Sequence, residues 1–389
     1  MSRLVPKLRF KEFSGEWEEK TLKDIASFIN EKVPLRCISL TNYISTENLL
    51  SDFNGITEAK KLPNISNVTK FKKDDILMSN IRPYLKKVWL SNIEGGSSND
   101  IIVARVKENN YYKFLFYIMQ DDKFINYVMK GAKGVKMPRG DILLVKKYPL
   151  VLPIPKEQQK IASCLSSLDA LIEAQNKKVS VLKQHKKGLM QQLFPKSGET
   201  TPTLRFKAFS GEWEEKIISD LANRYDNLRI PIAASNRIEG VTPYYGANGI
   251  QSYIQGYTHD GEYILVAEDG ANDLQNYPVQ YVNGKVWVNN HTHVLQGKKG
   301  ISNNIFLMHA IQNTNIRPYL VGGGRAKLNA NIMMKISFLV PKPKEQQKIA
   351  NTLSTLDNLI EAQNQQINHL KQHKKGLMQQ LFVNSEVGA

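Results

Sequence analysis

The hydrophobic pattern is most regular between Pro155 and Phe194. One seam runs through Ile161, Leu165, Leu168, Ile172, Gln175, Val179, Leu182, Lys186, Leu189 and Leu193, in alternating steps of four and three. That spacing averages 3.5 residues, the period of a coiled-coil seam rather than of a general amphipathic face. Residues 343–382 repeat the stretch with 31 of 40 positions identical. Their seam keeps the register at Ile349, Leu353, Leu356, Ile360, Gln363, Ile367, Leu370, Lys374, Leu377 and Leu381. Two long helices with matching stripes in one chain most simply pack on each other. Four seam positions are polar. Gln175 and Gln363 are expected to fix register at some cost in stability. Lys186 and Lys374 are expected to mark ends where the helices splay.

A shorter repeat lies ahead of each divergent region. Pro6–Ala26 and Pro202–Ala222 share 15 of 21 positions, with turns at Ser14-Gly15 and Ser210-Gly211 and with Trp17 and Trp213 as docking surfaces. The motif copies are offset by 196 residues (202 minus 6) and the helix copies by 188 (343 minus 155), so the regions between them differ in length by eight. The order is motif, divergent domain, helix, given twice. The boundaries expected are 1–154 for the first motif and domain, 155–194 for the first helix and 195–201 for a linker. The second motif and domain occupy 202–342, the second helix 343–383 and a tail 384–389.

In the first divergent region, β-type runs occur at Asp75–Met78, Val88–Leu90 and Ile101–Val106, with a loop predicted at Gly95–Asn99. Tyr111–Lys130 has the spacing of one buried helix. In the second, strands are predicted at Glu262–Ala267 and Gly284–Leu295, and a helix at Asn304–Leu320 with Asn303 as its N-cap. Each region then carries a glycine-rich basic segment before its last strand. The first is Gly131 to Arg139 and the second Gly322 to Leu328, equivalent if a gap of a residue or two is allowed.

Charge gives these segments a meaning. Among 389 residues the formal charge is +17 and the pI is about 9.5, which points to a polyanionic partner. Glycine brings backbone amides close to phosphate and lysine or arginine supplies the charge. The candidate contacts are Lys133, Lys136 and Arg139 in the first segment and Gly323, Gly324, Arg325 and Lys327 in the second. Arg82, Tyr84, Lys86 and Lys87 form another basic cluster, Lys298-Lys299 a further pair, and Tyr244, Tyr245 and Asn248 an aromatic–amide loop able to meet base edges.

Other constellations carry little. Glu18-Glu19-Lys20 fits a solvated turn better than a nuclease metal site. His291 and His293 share one strand face but lack a third metal ligand. The two Ile-Arg-Pro-Tyr copies, at 81–84 and 316–319, sit at non-equivalent places, and no phosphate-binding loop of the G-x-x-x-x-G-K-[ST] type exists. No catalytic or metal-binding residues emerge. Two cysteines, Cys37 and Cys164, are too few for a disulfide framework and favour a reducing interior. With no signal-like or membrane-spanning run, a cytoplasmic protein is expected.

On the helix entry PKEQQKIA at Pro155–Ala162 and Pro343–Ala350, the leucine-rich helices and the duplicated layout, the chain resembles the specificity subunit of type I restriction–modification systems. Thr242–Ile250, Asp260–Leu265 and Gly323–Leu328 are also similar to that family, as is Lys73–Leu77, where Asp74 replaces the usual glycine. The resemblance implies an α+β fold of two mixed α/β target-recognition domains separated by two long helices, packed as an antiparallel coiled coil with pseudo-twofold symmetry. It implies a DNA-binding, non-enzymatic subunit in which each domain reads one half of an asymmetric bipartite duplex site. The helices would set the spacing and dock two modification (methyltransferase) subunits, joined by two restriction (nuclease–translocase) subunits. S-adenosylmethionine, ATP and Mg²⁺ would sit on those partners and none on this chain. A helix over 156–193 would be about 57 Å long at 1.5 Å per residue, roughly 17 base-pair steps. A coiled-coil scaffold without DNA, or the recognition part of a restriction–modification fusion enzyme, are the alternatives.

Overall fold

The computed structural model describes residues 4–323 and 326–383. Contacts divide the chain into unit 1 (Met1–Gln175 with Gln366–Ala389) and unit 2 (Asn176–Gln365). The seam stretches form two helices of 39 residues each, α5 (Pro155–Leu193) and α9 (Pro343–Leu381). Each unit therefore takes the first part of one long helix and the last part of the other. All of the helix-pairing positions named above are buried or half-buried. Among the described residues no helix is long and apolar enough to cross a membrane.

In unit 1, β1 (Glu18–Thr21) pairs antiparallel with β10 (Pro149–Leu152), the strand that leads into α5. A one-turn helix, α1 (Leu22–Ile25), passes the chain to β2 (Ala26–Phe28). Next in chain order come β3 (Lys32–Pro34), β4 (Tyr43–Ile44), β5 (Asn67–Phe71), β6 (Ile76–Ser79), β7 (Val88–Leu90), β8 (Gly95–Ser97) and β9 (Ile101–Val106). They form two four-stranded sheets, ordered β2-β9-β6-β7 and β3-β5-β8-β4. The first three residues of the Gly95–Asn99 loop expected from sequence are thus a buried strand. Its glycines serve close approach, since a Cβ at Gly95 would strike the carbonyl of Asn42 and one at Gly96 the side chain of Val68.

The single helix expected over Tyr111–Lys130 is two, α2 (Tyr112–Met119) and α3 (Asp122–Lys130). The side chain of Asp121 accepts the amide of Lys123 and caps the second, which sets the break. A short helix α4 (Ile142–Lys146), capped by Asp141, precedes β10. Asp74 takes the left-handed turn expected of glycine, with φ of 69°.

Unit 2 repeats the motif pairing and short helix, with one six-stranded sheet in place of two four-stranded ones. β11 (Glu214–Ile217) pairs with β18 (Ser337–Val340), and α6 (Ile218–Leu221) leads to β12 (Ala222–Arg224). The strands β13 (Glu239–Gly246), β14 (Gly249–Ile254), β15 (His259–Ala267), β16 (Val279–Val288) and β17 (Thr292–Gly297) complete a six-stranded sheet of order β12-β17-β15-β16-β13-β14. The strand expected over Gly284–Leu295 is therefore two, turned at Asn289, whose side chain accepts the amide of His291. The helix that Asn303 caps, α7 (Asn304–Asn313), stops well before Leu320, and a 3₁₀ turn follows at Arg317–Tyr319. A last short helix, α8 (Ala330–Met333), precedes β18.

The repeated motifs lock each unit onto its helix entry. The Arg9 guanidinium grips Glu157 with two bonds of 2.8 Å and also donates to the carbonyls of Ser14 and Gly15 in the Ser-Gly turn. Arg205 does the same with Glu345, Ser210 and Gly211. Beside each glutamate, the side chain of Gln158 accepts the amide of Tyr111 and donates to the carbonyl of Pro153, while Gln346 joins Asn303, Ile301 and Pro341. The PKEQQ entry is thus a pair of buried anchors. In unit 1, Trp17, Phe114, Ile161 and Leu165 share a core with Leu381 and Phe382; in unit 2, Trp213, Phe306 and Leu193 share one with Ile349 and Leu353.

The seam lysines do not splay. Lys374 pairs with Asp169 at 2.6 Å and Lys186 with Asp357 at 2.5 Å, equivalent contacts because 374 minus 186 and 357 minus 169 are both 188. These pairs join residues of α5 and α9 within one unit, and their lysine side chains are only 14% and 17% exposed. The glutamines gain no such partner, for the Oε1 atoms of Gln175 and Gln363 are buried without a hydrogen bond. In unit 1 the hydroxyl of Tyr117 donates to Asp169 at 2.7 Å, and in unit 2 His309 stands 3.7 Å from Asp357.

Burial, and then the nearby Lys186 ammonium, push the His309 imidazole down to about 4. The unfolded chain takes up the proton first, near the ordinary value of about 6.5. Stability from this site is therefore full above about pH 6.5 and is lost as pH falls toward 4. A His309→Tyr variant, which copies Tyr117, should lose less stability than wild type between pH 7 and 5 in urea unfolding. Equal losses would show that His309 does not titrate in this way.

Candidate nucleic-acid interface

In each unit a hairpin closes over the end of the same central strand. In unit 1, bridges Lys133↔Arg139 and Ile81↔Arg139 set the loop Gly134–Pro138 beyond β6. In unit 2, bridges Val321↔Lys327 and Asp269↔Lys327 set the equivalent loop beyond β15. The spacing between copies is 188 at every one of these positions (321 minus 133, 327 minus 139, 269 minus 81). No gap is needed, and the left-handed glycines Gly134 and Gly322, at φ of 96° and 93°, coincide.

The unit 1 hairpin gathers most of the expected cations. The amide of Arg82 donates to the carbonyl of Pro138 at 2.7 Å, so the Arg82–Tyr84 turn sits against the loop. Arg82 itself is left-handed at φ of 50°, and its Nε is buried without a partner, as is Oδ1 of Asn80. Lys133, Lys136 and Tyr84 are exposed, and so is Arg139, which pairs with Asp100 at 2.7 Å. Val135 and Met137 project into solvent between them. Lys86 and Lys87 differ from expectation. Lys86 is paired with Asp122, and the ammonium of Lys87 donates to the carbonyl of Thr46. Burial, helped by Arg82, lowers the pKa of Lys87. Both lysines tie the turn down rather than face outward.

The unit 2 hairpin is anchored in a charge cluster that sequence reasoning missed. Lys327 pairs with Glu268 at 2.9 Å, and Arg229 reaches the other oxygen of Glu268 at 2.7 Å. His293 is buried, with its two ring nitrogens engaged by Asp226 at 2.7 Å and by the carbonyl of Leu328 at 2.8 Å. Burial alone would raise the carboxyls of Asp226 and Glu268; His293 holds the first below its usual range, and Arg229 and Lys327 the second. Asp226, Glu268 and His293 are close enough to hold a metal ion, but their ligand atoms already serve Arg229, Lys327 and Leu328. No local motif marks Arg229 or Glu268, because they meet across 39 residues of chain. Gly323 lies in the loop, while Gly324 and Arg325 fall outside the described residues.

The aromatic–amide loop is a β13–β14 hairpin instead. Tyr244 is buried beneath the guanidinium of Arg237, 4.0 Å from its ring centre, and Tyr245 is half-buried. Asn248 remains exposed at the turn, donating to the carbonyl of Gly270 and accepting the amide of Asn272, both at 2.9 Å. It lies at the same strand end as Lys327. Lys298 and Lys299 lie beyond the opposite end of β17, where Lys298 donates to the carbonyl of Ser219. They do not join the hairpin surface.

Two divergent α/β units that each present a cationic hairpin at one strand end, in a strongly basic chain, have the build of a nucleic-acid recognition protein. The chain belongs to the type I restriction modification DNA specificity domain family, whose model matches residues 14–184 and again 210–372. Its role is DNA sequence specificity. A type I restriction enzyme specificity subunit of Haemophilus influenzae is 45% identical over 148 residues, 38% of each chain. The MjaVIII specificity subunit of Methanocaldococcus jannaschii is 24% identical across 96% of this chain and 95% of its own. The S subunit structure from M. genitalium shares the fold, with a TM-score of 0.64 at 16% identity over 98% of this chain and all of that one.

Proposed function

We propose that unit 1 and unit 2 each read one half of an asymmetric bipartite duplex site, with the two hairpins as phosphate- and groove-contacting elements and the long helices assigned to the unread spacer. The equivalence of the hairpins at a constant offset of 188, in domains that otherwise share almost no sequence, carries this reading. Modification and restriction subunits, two of each, supply the chemistry with S-adenosylmethionine, ATP and Mg²⁺, while this chain chooses the site.

Lys133→Ala and Lys136→Ala, at the exposed cations of the unit 1 hairpin, should each weaken binding across sequences and flatten the slope of log affinity against log salt by about 1, the effect of one lost phosphate contact. Wild-type affinity and slope in both variants, measured by titration of a fluorescent duplex into the assembled complex, would remove the unit 1 hairpin from the interface.

A further inference from the structure

We infer that a cationic groove in unit 2 seats the DNA phosphate backbone beside the half-site, independently of base sequence. The inference rests on the DNA-recognition reading above. The groove has a volume of about 660 Å³ and runs between Lys183, Lys186 and Lys187 of α5 and the amide side chains of Gln275, Asn276 and Gln312. No carboxylate lines it. Lys186 is spent on Asp357, but Lys183 and Lys187 are exposed and have no ion-pair partner among the described residues. The amides of Gln312 and Asn276 already donate to the carbonyl of Val279 and to Asp273, so the two exposed ammonium groups are what suits phosphate oxygens here.

Unit 1 shows that this is more than a basic helix end. The same Lys-Gln-His-Lys-Lys-Gly run recurs at Lys371–Gly376. There Lys375 is neutralised by Asp122 at 2.8 Å, and Lys86 closes on the same carboxylate. Helices α2 and α7 begin 192 residues apart (304 minus 112), which puts Thr314 in place of Asp122. One repeated basic segment is thus closed by an acid in unit 1 and left open in unit 2.

Its position favours DNA over an acidic protein segment. Gln275 is six residues from Asp269, which is bridged to Lys327 of the hairpin. Six residues reach at most about 20 Å, less than one duplex turn of about 34 Å. A duplex held at the hairpin therefore carries phosphates within reach of the groove.

The test uses the full chain assembled with its modification subunits. Lys183→Ala combined with Lys187→Ala should leave the methylated sequence unchanged, weaken duplex binding about ten-fold at low salt and flatten the salt slope by about 1 to 2. Neutral methylphosphonates placed in turn along a wild-type target should produce the same loss at one short tract, and the double variant should lose nothing further there. Unchanged affinity and slope would overturn the inference. So would a normal slope with loss of the modification subunits, which would assign the groove to an acidic protein segment. Failure of the underlying reading looks different, because the wild-type complex would then show no sequence-selective, salt-dependent binding.

Discussion

Exchanging residues 27–152 for the matching region of another family member should change one half of the methylated sequence completely and leave the other half intact. The structure defines what such a graft must preserve. Arg9 and its Ser-Gly turn stay outside the exchange and keep their grip on Glu157. The graft must bring a strand to replace β10 against β1, an aromatic in place of Phe114 against Trp17, and a polar ring facing Asp169. In unit 2 a histidine occupies that place, since His309 stands 3.7 Å from Asp357, but without the hydrogen bond that Tyr117 makes to Asp169. Methylation mapping of the chimera checks the result, and change in both halves would refute modular reading.

Removing Arg205 should destabilise unit 2 by about 2–3 kcal/mol. The cost comes from Glu345, whose side chain is 3% exposed and would be left as a buried, unpaired carboxylate. A fully enclosed pair would cost more, about 3–5 kcal/mol, but the arginine is 18% exposed and water can enter behind it. The geometry makes the two partners unequal. Glu345→Gln should cost less than Arg205→Ala, because the arginine left behind can still reach solvent and the carbonyls of Ser210 and Gly211. In unit 1 the pair Glu12–Lys160 is half-exposed at both ends, so Lys160→Ala should leave unfolding unchanged. Denaturant midpoints of the three variants test this ordering, and equal effects would contradict it.

Much of this design was legible in the sequence. The 3.5-residue seam and the late glycine–cation segments are local patterns, and the helices and hairpins follow them, whereas the two contact units divide within each long helix rather than at its ends. The misread seam lysines and glycines share one physical cause, which is that partners arrive from far along the chain. Lys186 looked like a flaw because Asp357 lies 171 residues away, and Lys374 because Asp169 lies 205 away. Gly95-Gly96 looked like a loop because the neighbours that exclude a Cβ, Asn42 and Val68, belong to other segments. Tyr244 is a different case, because Arg237, which covers its ring, lies close by in the chain and only the fold brings the guanidinium onto the ring face. The offset of 188 between hairpins was countable from the sequence, but only the bridges fix which residues to align.

The central claim is that two unlike units read two unlike half-sites. Mapping every methylated base in a host that carries this chain with its modification subunits, and no other methyltransferase, tests it most directly. The account predicts one asymmetric motif of two short specified parts with an unread spacer between them. A single uninterrupted motif, or a motif with two identical halves, would contradict it.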